Sequence, residues 1–117
     1  MLTMVLPELT AKLVETKLTA YCERRIPAHA RDQVRMSFSV RGNNVTINEE
    51  RVAFKEPGRW VTIPIAQLRF TEKSGLWTLY CADRNDRWHL YRHAEPAKDV
   101  GALLGAMDAD KTGIFFG

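Results

Sequence analysis

Leu76-Trp77-Thr78-Leu79-Tyr80-Cys81-Ala82, then Asp83-Arg84-Asn85-Asp86, then Arg87-Trp88-His89-Leu90-Tyr91: two short runs rich in aromatic and apolar residues flank a polar segment, the pattern of a β-hairpin. Asn and Asp tolerate the left-handed backbone that a two-residue turn needs, so the loop is centred on Asn85 and Asp86. That centring pairs Cys81 with Leu90 and Asp83 with Trp88. Trp77, Leu79, Cys81, Trp88 and Leu90 then share one sheet face, and Thr78, Tyr80, Arg87, His89 and Tyr91 share the other, with Tyr80 opposite Tyr91, His89 opposite Ala82 and Arg84 opposite Arg87.

Upstream the same period of two continues. Val34, Met36, Phe38 and Val40 alternate with Arg35, Ser37, Ser39 and Arg41, and Arg41-Gly42-Asn43-Asn44 turns the chain into Val45 to Glu50. A loop centred on Gly42 and Asn43 pairs Val40 with Val45 and Phe38 with Ile47 inside, and Arg35 with Glu50 outside. A one-residue slip would put the apolar set in water. After Glu56-Pro57-Gly58 a strand from Trp60 to Ile65 points Val61, Ile63 and Ile65 inward and Trp60 and Thr62 outward. Pro64 cannot donate to a ladder and marks an edge, a bulge or the strand's end. A kink at Ala66-Gln67 leads on to Leu68 and Phe70 and the Lys73-Ser74-Gly75 turn.

Helices flank the strands. Pro7 opens one from about Glu8 to Arg25, stopped before Pro27. At 100° per residue Ala11, Val14, Leu18, Tyr21 and Cys22 form its main apolar line. Leu9, Leu13 and Ala20 lie nearly opposite, a second line covered either by the N-terminal segment, residues 1–7, or by another subunit. After Pro96 a short helix carries Val100, Leu103, Leu104 and Met107. Gly101 and Gly105 weaken it by about 1 kcal/mol each relative to Ala, a cost consistent with close approach to the sheet. The fold class is α+β: an N-terminal helix, an antiparallel meander of about five strands and a short C-terminal helix, with one sheet face covered and the other partly open.

Composition fits one globular domain spanning 1–117. The chain has 117 residues, 45% hydrophobic and 26% charged, and buries roughly 65% of its unfolded surface on folding. Met1 to Pro7 lacks a basic leader and a long apolar run, so neither a signal peptide nor a membrane span is expected, and Met4 is as good a start as Met1. Cys22 and Cys81 read as two buried thiols of a reducing cytoplasm, with one disulfide as the alternative. The formal charge of +3 is uneven. One basic zone holds Arg24, Arg25, Arg31 and Arg35 against Asp32; another holds Arg59, Arg69, Lys73, Arg84, Arg87 and Arg92 against Glu72, Asp83 and Asp86.

No catalytic constellation emerges. Asp108, Asp110, Thr112 and Gly113 imitate half a calcium loop, but its bidentate carboxylate would fall beyond Gly117; a helix exit followed by docking of Ile114, Phe115 and Phe116 accounts for them better. His89 and His93, four apart on an extended chain, stand roughly 13 Å from each other, too far for one metal. Cys81 is expected to be buried and to face away from His89. Glu49 and Glu50, adjacent on a strand, point to opposite faces, and Glu49 either ends the sheet or meets an arginine. No cofactor, metal or catalytic residue is therefore expected.

The outer sheet face remains: Tyr80, Tyr91 and His89 with Arg84 and Arg87, joined by Trp60 and Arg69 from neighbouring strands. Aromatics and arginines on an open sheet can stack bases and neutralise phosphates of single-stranded nucleic acid. The same face could instead meet a protein or a second copy, or lie under a loop or the C-terminal tail. Contact with a protein partner, self-association included, is the leading expectation for function, with nucleic-acid binding as the alternative.

Cys22-Glu23-Arg24-Arg25 with Pro27, Arg41-Gly42-Asn43, Glu49-Glu50-Arg51, Trp77-Thr78-Leu79-Tyr80, Asp83-Arg84-Asn85, Arg87-Trp88 and the ending Thr112-Gly113-Ile114-Phe115-Phe116-Gly117 together resemble a small bacterial family known as domain of unknown function three thousand and twenty-four. The resemblance runs from about Glu8 to the C-terminus. It implies a bacterial cytoplasmic protein and brings no activity, cofactor or catalytic residue. The family pattern has Gly after the hairpin asparagine, where this chain has Asp86.

Overall fold

A computed structural model describes residues 6–117; the N-terminal segment expected to cover the second helical line, and the choice between Met1 and Met4, fall mostly or wholly outside them. Helix α1 spans Glu8–Arg25 and strands β1 to β5 span Val34–Arg41, Asn44–Ala53, Glu56–Thr71, Leu76–Ala82 and Trp88–Leu90. Helix α2 closes the chain at Val100–Ala109. The strands form one antiparallel sheet in the order β1-β2-β3-β4-β5. This is the α+β meander between helices that the apolar periodicities require.

The β1–β2 register is the expected one: Val40 faces Val45, Phe38 faces Ile47, Met36 faces Glu49 and Arg35 faces Glu50. Gly42, at φ 58°, supplies the left-handed turn residue. Along β3 the irregularity falls one residue earlier than the expected kink. Ile47 faces Ala66 while Asn48 faces Pro64, so Ile65 is the extra residue of a β-bulge. The bulge keeps Val61 and Ile63 on the face that Ala66 and Leu68 also occupy. Pro64 is tolerated because β4 pairs with β3 only from Ala66 onward, leaving no ladder there to need its missing N–H.

The β4–β5 register differs from expectation by one residue. Tyr80 faces Leu90, Cys81 faces His89 and Ala82 faces Trp88. The loop has three residues rather than two. Asp83 N–H donates to the Arg87 carbonyl at 2.9 Å and Asp86 N–H to the Asp83 carbonyl at 3.0 Å, while Asp86 takes φ 58°. The Asp83 carboxylate accepts from the N–H groups of Asn85 and Arg87 at 2.8 and 3.0 Å. This is a tight turn followed by a left-handed residue, where Gly is usual. An odd loop reverses the parity of everything after it, so Trp88 and Leu90 move to the outer face and His89 and Tyr91 to the helix side.

Both helices pack on that inner side, α1 against β1 and α2 against β4. Val14, Leu18, Tyr21 and Cys22 of α1 meet Val100, Leu103, Leu104 and Met107 of α2 over Val45, Ile47, Leu68, Trp77 and Leu79. Glu8 in the first turn of α1 and Arg24 and Arg25 in the last suit its dipole. The Asp99 carboxylate caps α2, accepting from Gly101 N–H at 2.8 Å. Gly101 and Gly105 do not press on the sheet as expected. Both are exposed; a Cβ on Gly101 would meet Asp99 Oδ1 at 3.1 Å, so its smallness serves the cap, and one on Gly105 would meet nothing within 4 Å. Asp110 ends α2 at φ 42° and its carboxylate accepts from the N–H groups of Phe115 and Phe116 at 3.1 and 2.8 Å. Phe115 is thereby docked on Tyr91 with ring centroids 4.8 Å apart, whereas Ile114, expected to dock with it, is exposed.

Candidate functional site

Among the described residues no helix covers the outer sheet face, and the C-terminal tail packs on the opposite side through Phe115. One cross-strand row crosses all five strands there: Ser39, Thr46, Gln67, Tyr80 and Leu90. Beside it run Arg41, Asn44, Arg69 and Thr78. Gln67 donates to Thr46 Oγ1 at 3.0 Å and accepts from Arg69 Nε at 2.7 Å. Those bonds hold the Arg69 guanidinium 3.9 Å over the Tyr80 ring. At the far end Arg35 lies 3.9 Å over Trp60 and bonds Glu50. Both aromatic faces are thus already occupied by arginines.

Of the seven side chains expected on this face, Trp60, Arg69 and Tyr80 lie on it and Arg84 is exposed in the β4–β5 turn at its end. Arg87, exposed as well, pairs with Asp83 and has the parity of His89, so it leaves the face. His89 and Tyr91 do not belong to it. Tyr91 is 4% exposed against Phe115 and His93, its hydroxyl without a partner among the described residues. His89, on the inner side, donates from Nε2 to Asp83 Oδ2 at 2.7 Å. That bond, with backbone N–H groups from Arg87 and Asn85, holds the Asp83 carboxyl at about 2.

The same parity change brings Cys81 onto the face of His89, contrary to the sequence expectation, and places a thiol, an imidazole and a carboxylate in succession. It does not make a nucleophile. The Cys81 thiol donates to the His89 carbonyl oxygen at 3.5 Å rather than to the ring, and burial pushes its pKa up. Cys22 is also free and buried, its pKa pushed up to about 11 by burial. No group of three or more metal-ligating side chains occurs among the described residues.

The first basic zone is consumed internally. Asp108 accepts from Tyr21 Oη at 3.0 Å and Arg24 Nη1 at 3.3 Å, with Arg25 Nε at 3.9 Å. Arg31 bonds the carbonyls of Glu23 and Ile26. In the second zone Lys73, Arg84, Arg87 and Arg92 have no carboxylate within 4.0 Å among the described residues, while Arg59 pairs with Glu56.

Apolar side chains also lie outside the core. On α1, Leu9 and Leu13 are 72% and 55% exposed, and Ala20 is exposed with them. On the sheet, Val61 and Ile63 point inward as expected, yet stay 38% and 42% exposed because the sheet runs out from under the helices. The signal for that overhang is length: β3 has 16 residues and β4 only 7. Glu49 and Arg51, paired with Ile63 and Val61 across the ladder, form an ion pair on the same surface. Phe54 stands fully out at the β2–β3 tip.

A family model described as Domain of unknown function (DUF3024) matches residues 6–117. No curated protein matches, and no solved structure matches.

Proposed function

We propose that this chain, which belongs to the family described as Domain of unknown function (DUF3024), is a non-enzymatic binding module that works by protein contact, and that its first partner is a second copy of itself. The observation that carries the reading is the overhang of β2 and β3, where Val61 and Ile63 face the helix side with no helix on them among the described residues. Glu49 and Arg51 lie in the neighbouring strand of the same patch, one negative and one positive. A two-fold axis through such a patch sets Arg51 of each copy against Glu49 of the other while the four aliphatic side chains meet, so the surface complements itself. The Leu9 and Leu13 line of α1 is a second apolar surface suited to protein contact.

Light scattering with size exclusion tests this. The expected result is a dimer at tens of micromolar that Ile63→Lys converts to a monomer with an unchanged circular dichroism spectrum. A wild-type monomer at 200 micromolar, or a dimer indifferent to Ile63→Lys, overturns it. Leu9→Lys with Leu13→Lys assigns the contact to α1 if those changes alone dissociate the dimer.

A second reading is favoured by one observation, the guanidinium groups of Arg41 and Arg69 on an uncovered face whose β4–β5 end exposes Arg84, a cation with no carboxylate within 4.0 Å among the described residues. Single-stranded nucleic acid would lie across that face, with phosphates on the arginines and bases on the Arg69–Tyr80 stack. Tyr91, being buried, has no part in it. Affinity for a short oligonucleotide should fall steeply with salt, and Arg84→Ala should flatten the slope. No change in fluorescence anisotropy with tens of micromolar protein at low salt would end this reading.

A further inference from the structure

A groove of about 420 Å³ opens between α1, the β3–β4 turn and the start of α2. Its base is made of core side chains, Val14, Trp77 and Val100, each at most 3% exposed. Phe70 and Leu13 wall it, the Phe70 ring tilted 49° to Trp77 at 5.0 Å between centroids, so two aromatic planes meet at an angle. Leu13 leaves more than half its surface in water at this rim. The volume falls in the range of small-molecule sites, and an apolar lining with a few polar groups at the edge is their usual composition.

The polar groups at the edge are unequal. Lys17 and Asp99 neutralise one another at 2.5 Å, and Asp99 is further engaged by Gly101 N–H in capping α2. Lys98, also lining the groove, has no carboxylate within 4.0 Å among the described residues. An aromatic corner with one uncompensated ammonium at its mouth complements a flat apolar body that bears a single negative charge.

We propose that this groove binds a small aromatic monocarboxylate, the ring against Trp77 and Phe70 and the carboxylate on Lys98. The proposal stands apart from the β2–β3 contact, since none of the groove's residues lies on that overhang, and it shares only Leu13 with the second apolar surface of α1. It asks nothing of the protein beyond binding.

Two probes of the same shape isolate the charge: 2-naphthoate and the neutral 2-naphthamide, titrated into the full chain and followed by amide and indole shifts in ¹⁵N–¹H spectra. Naphthoate should produce saturable shifts confined to the Trp77 indole and the amides around Leu13, Lys98 and Val100. It should bind roughly threefold or more tightly than naphthamide, the scale of one partly exposed ion pair. Lys98→Ala should erase the difference while leaving naphthamide binding as it was. No saturation by 2 mM, shifts centred elsewhere, or equal affinities of the two probes in the wild type would overturn the assignment. A chain lacking residues 1–5 supplies the remaining arm. If only that chain binds the probes, the groove's occupant is the protein's own N-terminus and the ligand proposal fails.

Discussion

Asp108 ties the two helices together through Tyr21, and replacing the two partners should cost unequal amounts. Tyr21 is 1% exposed, so Asp108→Ala leaves its hydroxyl without the protein acceptor it has in the native chain. Leaving a buried donor unmade costs about 1–3 kcal/mol. The Arg24 pair is largely in solvent and adds at most about 0.5 kcal/mol. Asp108→Ala should therefore destabilise by about 2–3 kcal/mol. Tyr21→Phe removes the same bond but leaves behind a carboxylate at the surface that water can solvate, at a cost of about 1 kcal/mol. In the double variant nothing is stranded, so its cost should be about 2 kcal/mol, below the sum of the single changes by about 1–2 kcal/mol. Urea unfolding followed by Trp fluorescence and by circular dichroism measures all four corners of the cycle. Additive single changes, or Tyr21→Phe costing as much as Asp108→Ala, would falsify the account of Asp108 as the acceptor for a buried hydroxyl.

Stability should have a plateau with two different edges. Cys22 holds its proton to about 11 when folded, against an ordinary value of 9.0, and the Tyr21 pKa is also raised, first by burial and then by Asp108. Above pH 9 the unfolded chain releases protons that the folded one keeps, so the urea midpoint should fall, with a slope of about 1.4 kcal/mol per pH unit for each such group; a flat profile to pH 11, or one that Cys22→Ala leaves unchanged, contradicts this. On the acid side Asp83, held at about 2, contributes in full above its ordinary 3.8 and ceases to as pH falls toward 2, a loss that Asp83→Asn should abolish in a thermal titration. Asp86→Gly should raise stability by roughly 0.5–1 kcal/mol, because glycine takes φ 58° without a Cβ penalty. A glycine variant no more stable than the parent would show that Asp86 is not strained there.

The register of β1 on β2 was legible to the residue because two independent constraints agreed, although β2 runs from Asn44 to Ala53 rather than from Val45 to Glu50. The apolar alternation fixed which side chains face inward, and Arg35 opposite Glu50 fixed the outer pairing. In the β4–β5 hairpin the loop length decided the register, and apolar patterning could not resolve it: Trp88 and Leu90 read as inward in one register, and Tyr91 packs inward in the other. What selected the second was the Asp83 carboxylate binding two backbone N–H groups beyond it, a local bond invisible to periodicity. From that single residue followed the loss of His89 and Tyr91 from the candidate face and the unforeseen placement of Cys81 beside His89. The overhang was hidden for another reason. Val61 and Ile63 were read correctly as inward, but inward is a direction, and burial also needs an element on top. The groove under Lys98 depends on how α1, α2 and the β3–β4 turn meet, which no local pattern encodes.

The order of the sheet bears on how the chain folds. Each strand pairs with its neighbour in sequence, so every ladder closes over a short loop, and short closures cost little entropy and form quickly. The helices are the exception. Tyr21 and Asp108 are 87 positions apart, and their contact can form only once the whole meander has brought the chain ends together. The hub should then be absent from the folding transition state, so that weakening it accelerates unfolding and leaves the folding rate nearly untouched. The clasp between the helices therefore governs how long the native protein persists rather than how fast it is reached.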